Sequence, residues 1–300
     1  MKQLLLSHET SFRSVVSAML LQLNTLAILN LEKKYRSSEG IHQARLCFKR
    51  SRAVIRMVRP GLSDADYTQL NDFYRQCGQS LGVLRDTTAS IETLRSMLQS
   101  RKSPESHKVI LQFLSSLRKL QRRQQIEGHQ HEMVNQVLAS LVDQQTMLNS
   151  LELTGSAPKV VYAGIRKIYR QGKLMSEVLA SEPDNIGFHQ LRKKVKYLGY
   201  MFETLQYLYP ALMKSQLSEF TKLGRLLGSH HDLVILLDAM VDFEPSRQRG
   251  NLRRSIINRK KRLESRILDD AAYVFMWKPA EFAGRVRVLM ENYSVKSSLT

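Results

Sequence analysis

The chain has little of what holds most non-helical folds together. Its 300 residues include two cysteines, seven prolines, fourteen glycines and one tryptophan. Cys47 and Cys77 offer neither a disulfide framework nor the paired spacing of a metal site, so a reducing cytoplasm is the expected compartment. Scarce proline and glycine suit long helices and disfavour sheet-and-turn architectures. No stretch shows the period-two alternation of a half-buried strand. There is no Gly-rich phosphate loop followed by Lys-Ser/Thr, which argues against nucleotide hydrolysis. There is also no helix-turn-helix, zinc-finger or RNP signature. Met1 to Phe12 carries only three consecutive apolar residues before Ser7, too few for a signal peptide. The most apolar stretch, Ala18 to Leu31, is broken by Gln22, Asn24, Thr25 and Asn30, and it is expected to be too short and too polar to span a bilayer.

Acidic residues are the other shortage. Asp and Glu number 27 against 46 Lys and Arg, giving a formal charge of +19 and a pI near 10.1. Such a balance points to a polyanionic partner: nucleic acid, an anionic membrane or polyphosphate. The apolar content of 43% supports a folded core rather than disorder.

The charge is patterned. His42, Arg45, Lys49, Arg52, Arg56 and Arg59 recur at steps of three and four, and residues 41–60, which also contain Arg50, hold no acid. On a helix that spacing puts the six side chains on one face. Like charges at this spacing destabilise a helix, so the four neighbouring Arg/Lys pairs cost roughly 1–2 kcal/mol. An ordinary solvated face mixes signs and gains from salt bridges; this one does not. The stripe spans ~26 Å at the helical rise, which suits an extended chain of phosphates better than one nucleotide. Arginine forks can hold phosphate oxygens bidentately, while lysines act as point charges.

Eight helices are predicted. They run from about Glu9 to Arg36, Ser38 to Arg59, Ser63 to Ser100, Ser103-Pro104 to Ser150, from after Pro158 to near Ser181-Glu182-Pro183, Asp184 to Tyr209, Ala211 to Asp242, and from Pro245-Ser246 onward with a break at Lys278-Pro279. Pro60-Gly61 stops the second, Ser63 caps the third, and Thr154–Pro158 is the main internal break. The chain also repeats itself. His42-Gln43-Ala44-Arg45 and Lys49 match His189-Gln190-Leu191-Arg192 and Lys196. Gln69-Leu70-Asn71-Asp72-Phe73 matches Gln216-Leu217-Ser218-Glu219-Phe220, and Leu81-Gly82 with Asp86 matches Leu227-Gly228 with Asp232. The expected architecture is all-α: two four-helix bundles from an internal duplication, residues 1–153 and 154–300, related by a pseudo-twofold axis.

Other basic sets could line the same cavity. Lys159, Arg166 and Lys173 recur every seven residues with Arg170 beside them, Arg118, Arg122 and His129 share a face, and Arg253, Lys260, Lys261 and Arg262 cluster near the end. His42 and His189 are either structural or phosphate donors that gain charge below ~6.5; the second reading implies affinity rising as pH falls from 8 to 6. Asp86 and Asp232 are expected to pair with a stripe cation and hold its geometry. His230-His231-Asp232 offers a rival reading, a metal-dependent phosphohydrolase of the HD type. The repeat shares only the aspartate, which assigns it to the scaffold. Non-specific nucleic-acid binding is the other alternative, although the tyrosines Tyr67, Tyr74, Tyr162 and Tyr169 are scattered and form no stacking platform.

The phrase Ile41-His42-x-x-Arg45-x-x-x-Lys49-Arg50-x-Arg52, the Leu81-Gly82-x-x-Arg85-Asp86 signal and their second copies resemble the CHAD domain (conserved histidine α-helical domain), over nearly the whole chain. The resemblance implies two four-helix bundles that bind inorganic polyphosphate through a basic cavity or surface, without catalysis and without a metal or organic cofactor, in proteins associated with polyphosphate granules. A CYTH triphosphatase module, fused to some members, has no Glu-x-Glu-x-Lys signature here. By this resemblance the binding positions are His42, Arg45, Lys49, Arg50 and Arg52, then His189, Arg192, Lys193 and Lys196. Arg56, Arg59, Arg166, Arg170, Lys173, Arg118 and Arg122 extend the candidate site. In the second copy Tyr197 and Gly199 replace two cations usual in the family and Glu203 interrupts the stripe, so the first copy is expected to grip harder. Replacing Arg45, Lys49 and Arg52 with Glu is expected to abolish binding and leave helicity intact.

Overall fold

Helix-forming runs bounded by caps and prolines produce a chain of packed helices. The computed structural model describes residues 11–33, 38–82, 91, 94–95, 110–119, 129–206, 210–241 and 247–297, and among them there is no strand. The helices are α1 (Phe12–Lys33), α2 (Ser38–Val58), α3 (Asp64–Ser80), α4 (His129–Asn149), α5 (Ala157–Ser181), α6 (Asn185–Leu205), α7 (Pro210–Ala239), α8 (Arg247–Val274) and α9 (Pro279–Ser297). A 3-10 turn, Arg59–Gly61, follows α2, and residues 110–119 form a further helical stretch.

Local chemistry sets the boundaries. Ser63 Oγ accepts from the Asp66 amide at the start of α3, and Asp184 Oδ1 accepts from the Gly187 amide at the start of α6, each satisfying a donor that the first turn leaves open. Pro279 opens α9, as the expected break requires. The third helix is shorter than predicted. It ends at Ser80, where the Leu81 amide turns back to Cys77 O and Gln79 O. The predicted start of the fourth helix at Ser103-Pro104 lies outside the described residues. The expectation for α1 is also corrected: Phe12–Glu32, 21 residues of mean hydropathy 1.6, is long and apolar enough to cross a bilayer by length and composition. Within the fold it serves as a core helix. Val16, Leu20, Ala27 and Leu31 are buried, and the polar Asn24 is buried with its Oδ1 accepting from Tyr74 Oη at 2.8 Å.

Two cores meet at α2. Phe48, Val54, Ile55 and Val58 pack with Val16 and Leu20 of α1, Leu70 and Tyr74 of α3, and Val137 and Leu141 of α4. Ala53 and Met57, one turn apart on the other side of α2, join Tyr169 of α5, Phe202 of α6, Phe220 of α7 and Phe282 of α9. Gly164 makes this possible, because a Cβ there would overlap the Met57 carbonyl; α2 and α5 therefore approach backbone to backbone. The linker after α4 is fastened too. Gly155 adopts a left-handed φ of 84° that favours glycine, and the Thr154 amide donates to Gly61 O at 2.9 Å. A third cluster joins Ile91, Leu94, Phe113, Leu114 and Leu117 to Leu233 and Leu236 of α7 and Leu252 and Ile256 of α8. It bridges the expected division at residues 153/154.

Candidate anion-binding site

The two His-x-x-Arg helices, α2 and α6, lie side by side and antiparallel. Arg50 near the middle of α2 meets Glu203, and Arg56 further along meets Tyr197. The stripe on α2 is half-buried along its length, with α3 on one side and α6 on the other. An Arg45 Nη donates to Gly78 O on α3. Arg52 Nε donates to Asn71 Oδ1 at 3.3 Å, and the Arg56 guanidinium sits 4.3 Å from the centre of the Tyr197 ring. On α6, Lys196 lies against Gly224 of α7, its Nζ 3.7 Å from where a Cβ would stand. The His189 ring lies 4.9 Å from that of His231 on α7. His42 Nδ1, Arg45 Nε, His189 Nδ1 and Arg192 Nε are all buried side-chain nitrogens, so the first two motif residues take the same kind of recess in both copies.

The cations repel one another. Arg52 is held below its ordinary value by burial, with Arg56 and Arg75 adding to the effect. Burial and then Arg192 lower Lys196. Burial, Arg56, Lys193 and Lys167 lower Lys194, whose Nζ donates to Gln171 Oε1 at 2.8 Å. His189 is lowered by burial, Lys193 and Arg192. Burial and then Arg192, His189, His230 and Lys193 push His231 down to about 4. Burial is the largest cause in each case and neighbouring cations add to it, so these half-buried groups of one sign form a field that a bound anion relieves.

Two predicted residues are spent elsewhere. Arg50 pairs with Glu203 through contacts of 2.6 and 3.1 Å. Burial alone would lower Arg50, and the Glu203 carboxylate more than offsets it. Lys173 Nζ donates to Phe275 O at 2.9 Å, just beyond the end of α8. Arg59 closes the stripe against Tyr67, 4.2 Å from its ring centre, and lies 3.7 Å from Asp64. Arg166 and Arg170 are exposed on α5, and Arg118 is exposed on the 110–119 stretch. Arg122 and Asp86 lie outside the described residues. Asp232 is half-buried on α7 beside His231. Asn71, Arg75, Lys194 and His231 join the site without having been expected there. A signal existed for the α3 and α7 side of the site, since Gly78-Gln79-Ser80-Leu81-Gly82 recurs as Gly224-Arg225-Leu226-Leu227-Gly228.

The His-His-Asp triplet is divided between two tasks. His230 is 2% exposed and its Nε2 lies 3.0 Å from Glu264 Oε1, which also accepts from Lys260 at 2.5 Å. His231 faces His189 instead. Among the described residues no three His, Cys, Asp or Glu side chains gather closely enough to hold a metal ion.

The CHAD domain family model matches residues 20–241. The chain belongs to the CHAD domain family. That family is associated with polyphosphate binding. The CHAD fold is shared with PptA from Streptomyces chartreusis (TM-score 0.62, 12% identity, covering 87% of this chain and 98% of that one). It is also shared with the CHAD domain from the plant Ricinus communis (TM-score 0.50, 17% identity, covering 88% of this chain and 90% of that one). No curated protein matches in sequence.

The lowered histidines revise the expected pH response of this CHAD chain. Between their native values and the ordinary 6.5, the unfolded chain binds more protons than the folded one. Stability is thus complete above about 6.5 and lost as pH falls through the window that reaches about 4 for His231. Thermal unfolding is expected to show Tm falling across that window, and saturating polyphosphate is expected to flatten the fall by favouring the charged rings. A Tm that ignores pH between 6.5 and 4 contradicts this arrangement. The histidine-driven gain in affinity, expected between pH 8 and 6, is displaced downward for the same reason.

Proposed function

We propose that this protein is a non-catalytic binder of inorganic polyphosphate, held along the paired α2 and α6 stripes and needing no metal or organic cofactor. The observation that carries the reading is a half-buried row of cations on α2, Arg45, Lys49, Arg52 and Arg56, packed antiparallel against the helix that carries Arg192, Lys193 and Lys196. That cluster is neutralised best by a chain with regularly spaced charge. Arg45, Lys49, Arg52 and Arg56 contact it from α2; Arg192, Lys193 and Lys196 contact it from α6. Tyr197, which stands where the family has a cation, packs against Arg56 and fixes the plane of its guanidinium. The Arg50–Glu203 pair lies between the two stripes, removing one cation and locking α2 to α6. The two motif copies serve as two ends of one binding track, related by the pseudo-twofold duplication, in a cytoplasmic protein that can associate with polyphosphate granules. Calorimetric titration with long-chain polyphosphate tests this. Saturable binding is expected, orthophosphate giving none at equal phosphate concentration; equal binding of both overturns the reading.

A further inference from the structure

A second basic surface lies on α8, beyond the family match that ends at residue 241. Eight of the sixteen residues from Arg247 to Arg262 are Arg or Lys, and none is acidic. The cations from Arg253 onward are turned to different faces. Lys260 turns inward, where its Nζ donates to Asn185 Oδ1 at 2.9 Å and to Glu264, beside the buried Leu252 and Ile256. On the opposite side, Asn251, Arg254, Ser255, Asn258 and Arg262 follow at steps of three, one, three and four and line a shallow depression of about 410 Å³. Asn251, Arg254, Asn258, Lys261 and Arg262 are exposed.

We infer that this outward face of α8 binds double-stranded DNA. Charge establishes an anionic partner, and three observations choose among the anions. The α2 stripe is half-buried between two helices, whereas Arg254, Lys261 and Arg262 are exposed around a shallow, open depression, so a wide duplex can reach them. Asn and Ser alternate with Arg: Asn251 Oδ1 accepts from Arg254 at 3.1 Å and orients its guanidinium, while the acceptor oxygens of Ser255 and Asn258 gain nothing from polyphosphate, which offers only acceptors. Base edges offer donors as well, and Arg and Asn side chains are those that read guanine and adenine in the major groove, about 12 Å wide, which admits an α-helix. From Asn251 to Arg262 the face carries no aromatic side chain for stacking single strands and no exposed large apolar side chain for a membrane; the exposed Tyr273 stands about three turns further along.

The inference stands independently of the polyphosphate reading, and one pair of variants separates them. Arg254→Glu/Lys261→Glu/Arg262→Glu is expected to weaken binding of a 25-base-pair duplex at least tenfold in fluorescence anisotropy. It should also make the salt slope shallower by roughly 0.9 for each DNA phosphate no longer neutralised. Its Tm and its polyphosphate affinity should stay at wild-type values. Lys49→Glu/Arg52→Glu/Lys196→Glu is expected to do the reverse. Three results would overturn the inference: wild type that binds no duplex, an α8 variant that binds it as well as wild type does, or an α8 variant that loses polyphosphate as severely as DNA. The last would make α8 an extension of the phosphate track.

Discussion

Protein carrying Lys49→Glu, Arg52→Glu and Lys196→Glu is expected to bind polyphosphate roughly a thousandfold more weakly than wild type, each charge-assisted contact being worth at least about 1.5 kcal/mol. These three positions separate binding from folding better than a set containing Arg45. Arg45 donates to Gly78 O at the end of α3, so a glutamate there also removes a contact between α2 and α3. Arg52 gives up a longer bond, 3.3 Å to the Asn71 side chain, and Arg52 and Lys196 are both lowered, first by burial and then by neighbouring cations, so replacing them costs the fold less. The variant should keep wild-type helicity by circular dichroism and a cooperative unfolding transition. Wild-type affinity in a folded variant would move the site to another surface.

Affinity is also expected to collapse with salt. Seven cations face the proposed track: Arg45, Lys49, Arg52, Arg56, Arg192, Lys193 and Lys196. At ~0.7 counterions released per phosphate held on a single chain, the slope of log affinity against log salt is about −5, and raising salt from about 50 to 200 mM weakens binding about a thousandfold. Arg50 is left out of the count because Glu203 already neutralises it. Glu203→Gln, by releasing Arg50, should steepen the slope by somewhat less than one. Titrations at four salt concentrations measure this directly. A slope near zero would mean that counterion release, and so the basic track, does not drive binding.

The stripe was legible because it is local: residues three and four apart share a face whatever the tertiary context, and α2 carries Arg45 to Arg56 on one side as the spacing requires. The all-helical class was legible from composition for a similar reason, and so was the break at Pro279. What depends on a neighbouring helix was not. Glu203 reads in sequence as a defect in the second stripe, and only the antiparallel packing of α2 on α6 makes it the partner of Arg50. Tyr197 reads as a missing cation and proves to be the surface on which Arg56 lies. Lys173 keeps the right heptad spacing but points to the end of α8, where Phe275 O accepts from it. The hydropathy of α1 misled in the opposite direction: four polar residues suggested a stretch too polar to span a bilayer, yet Asn24 is absorbed by a hydrogen bond from Tyr74 inside the core. In each case the residue type was visible and its partner, far away in the chain, was not.

Affinity as a function of polyphosphate chain length tests the central claim most directly, because a track and a point site respond differently. If α2 and α6 form one track, affinity should climb steeply with chain length until the ligand spans the ~26 Å of the α2 stripe, continue to rise while it reaches the α6 cations, and then level off. Affinity that is already maximal for a chain of two or three phosphates would contradict the track and reduce the site to a single phosphate pocket.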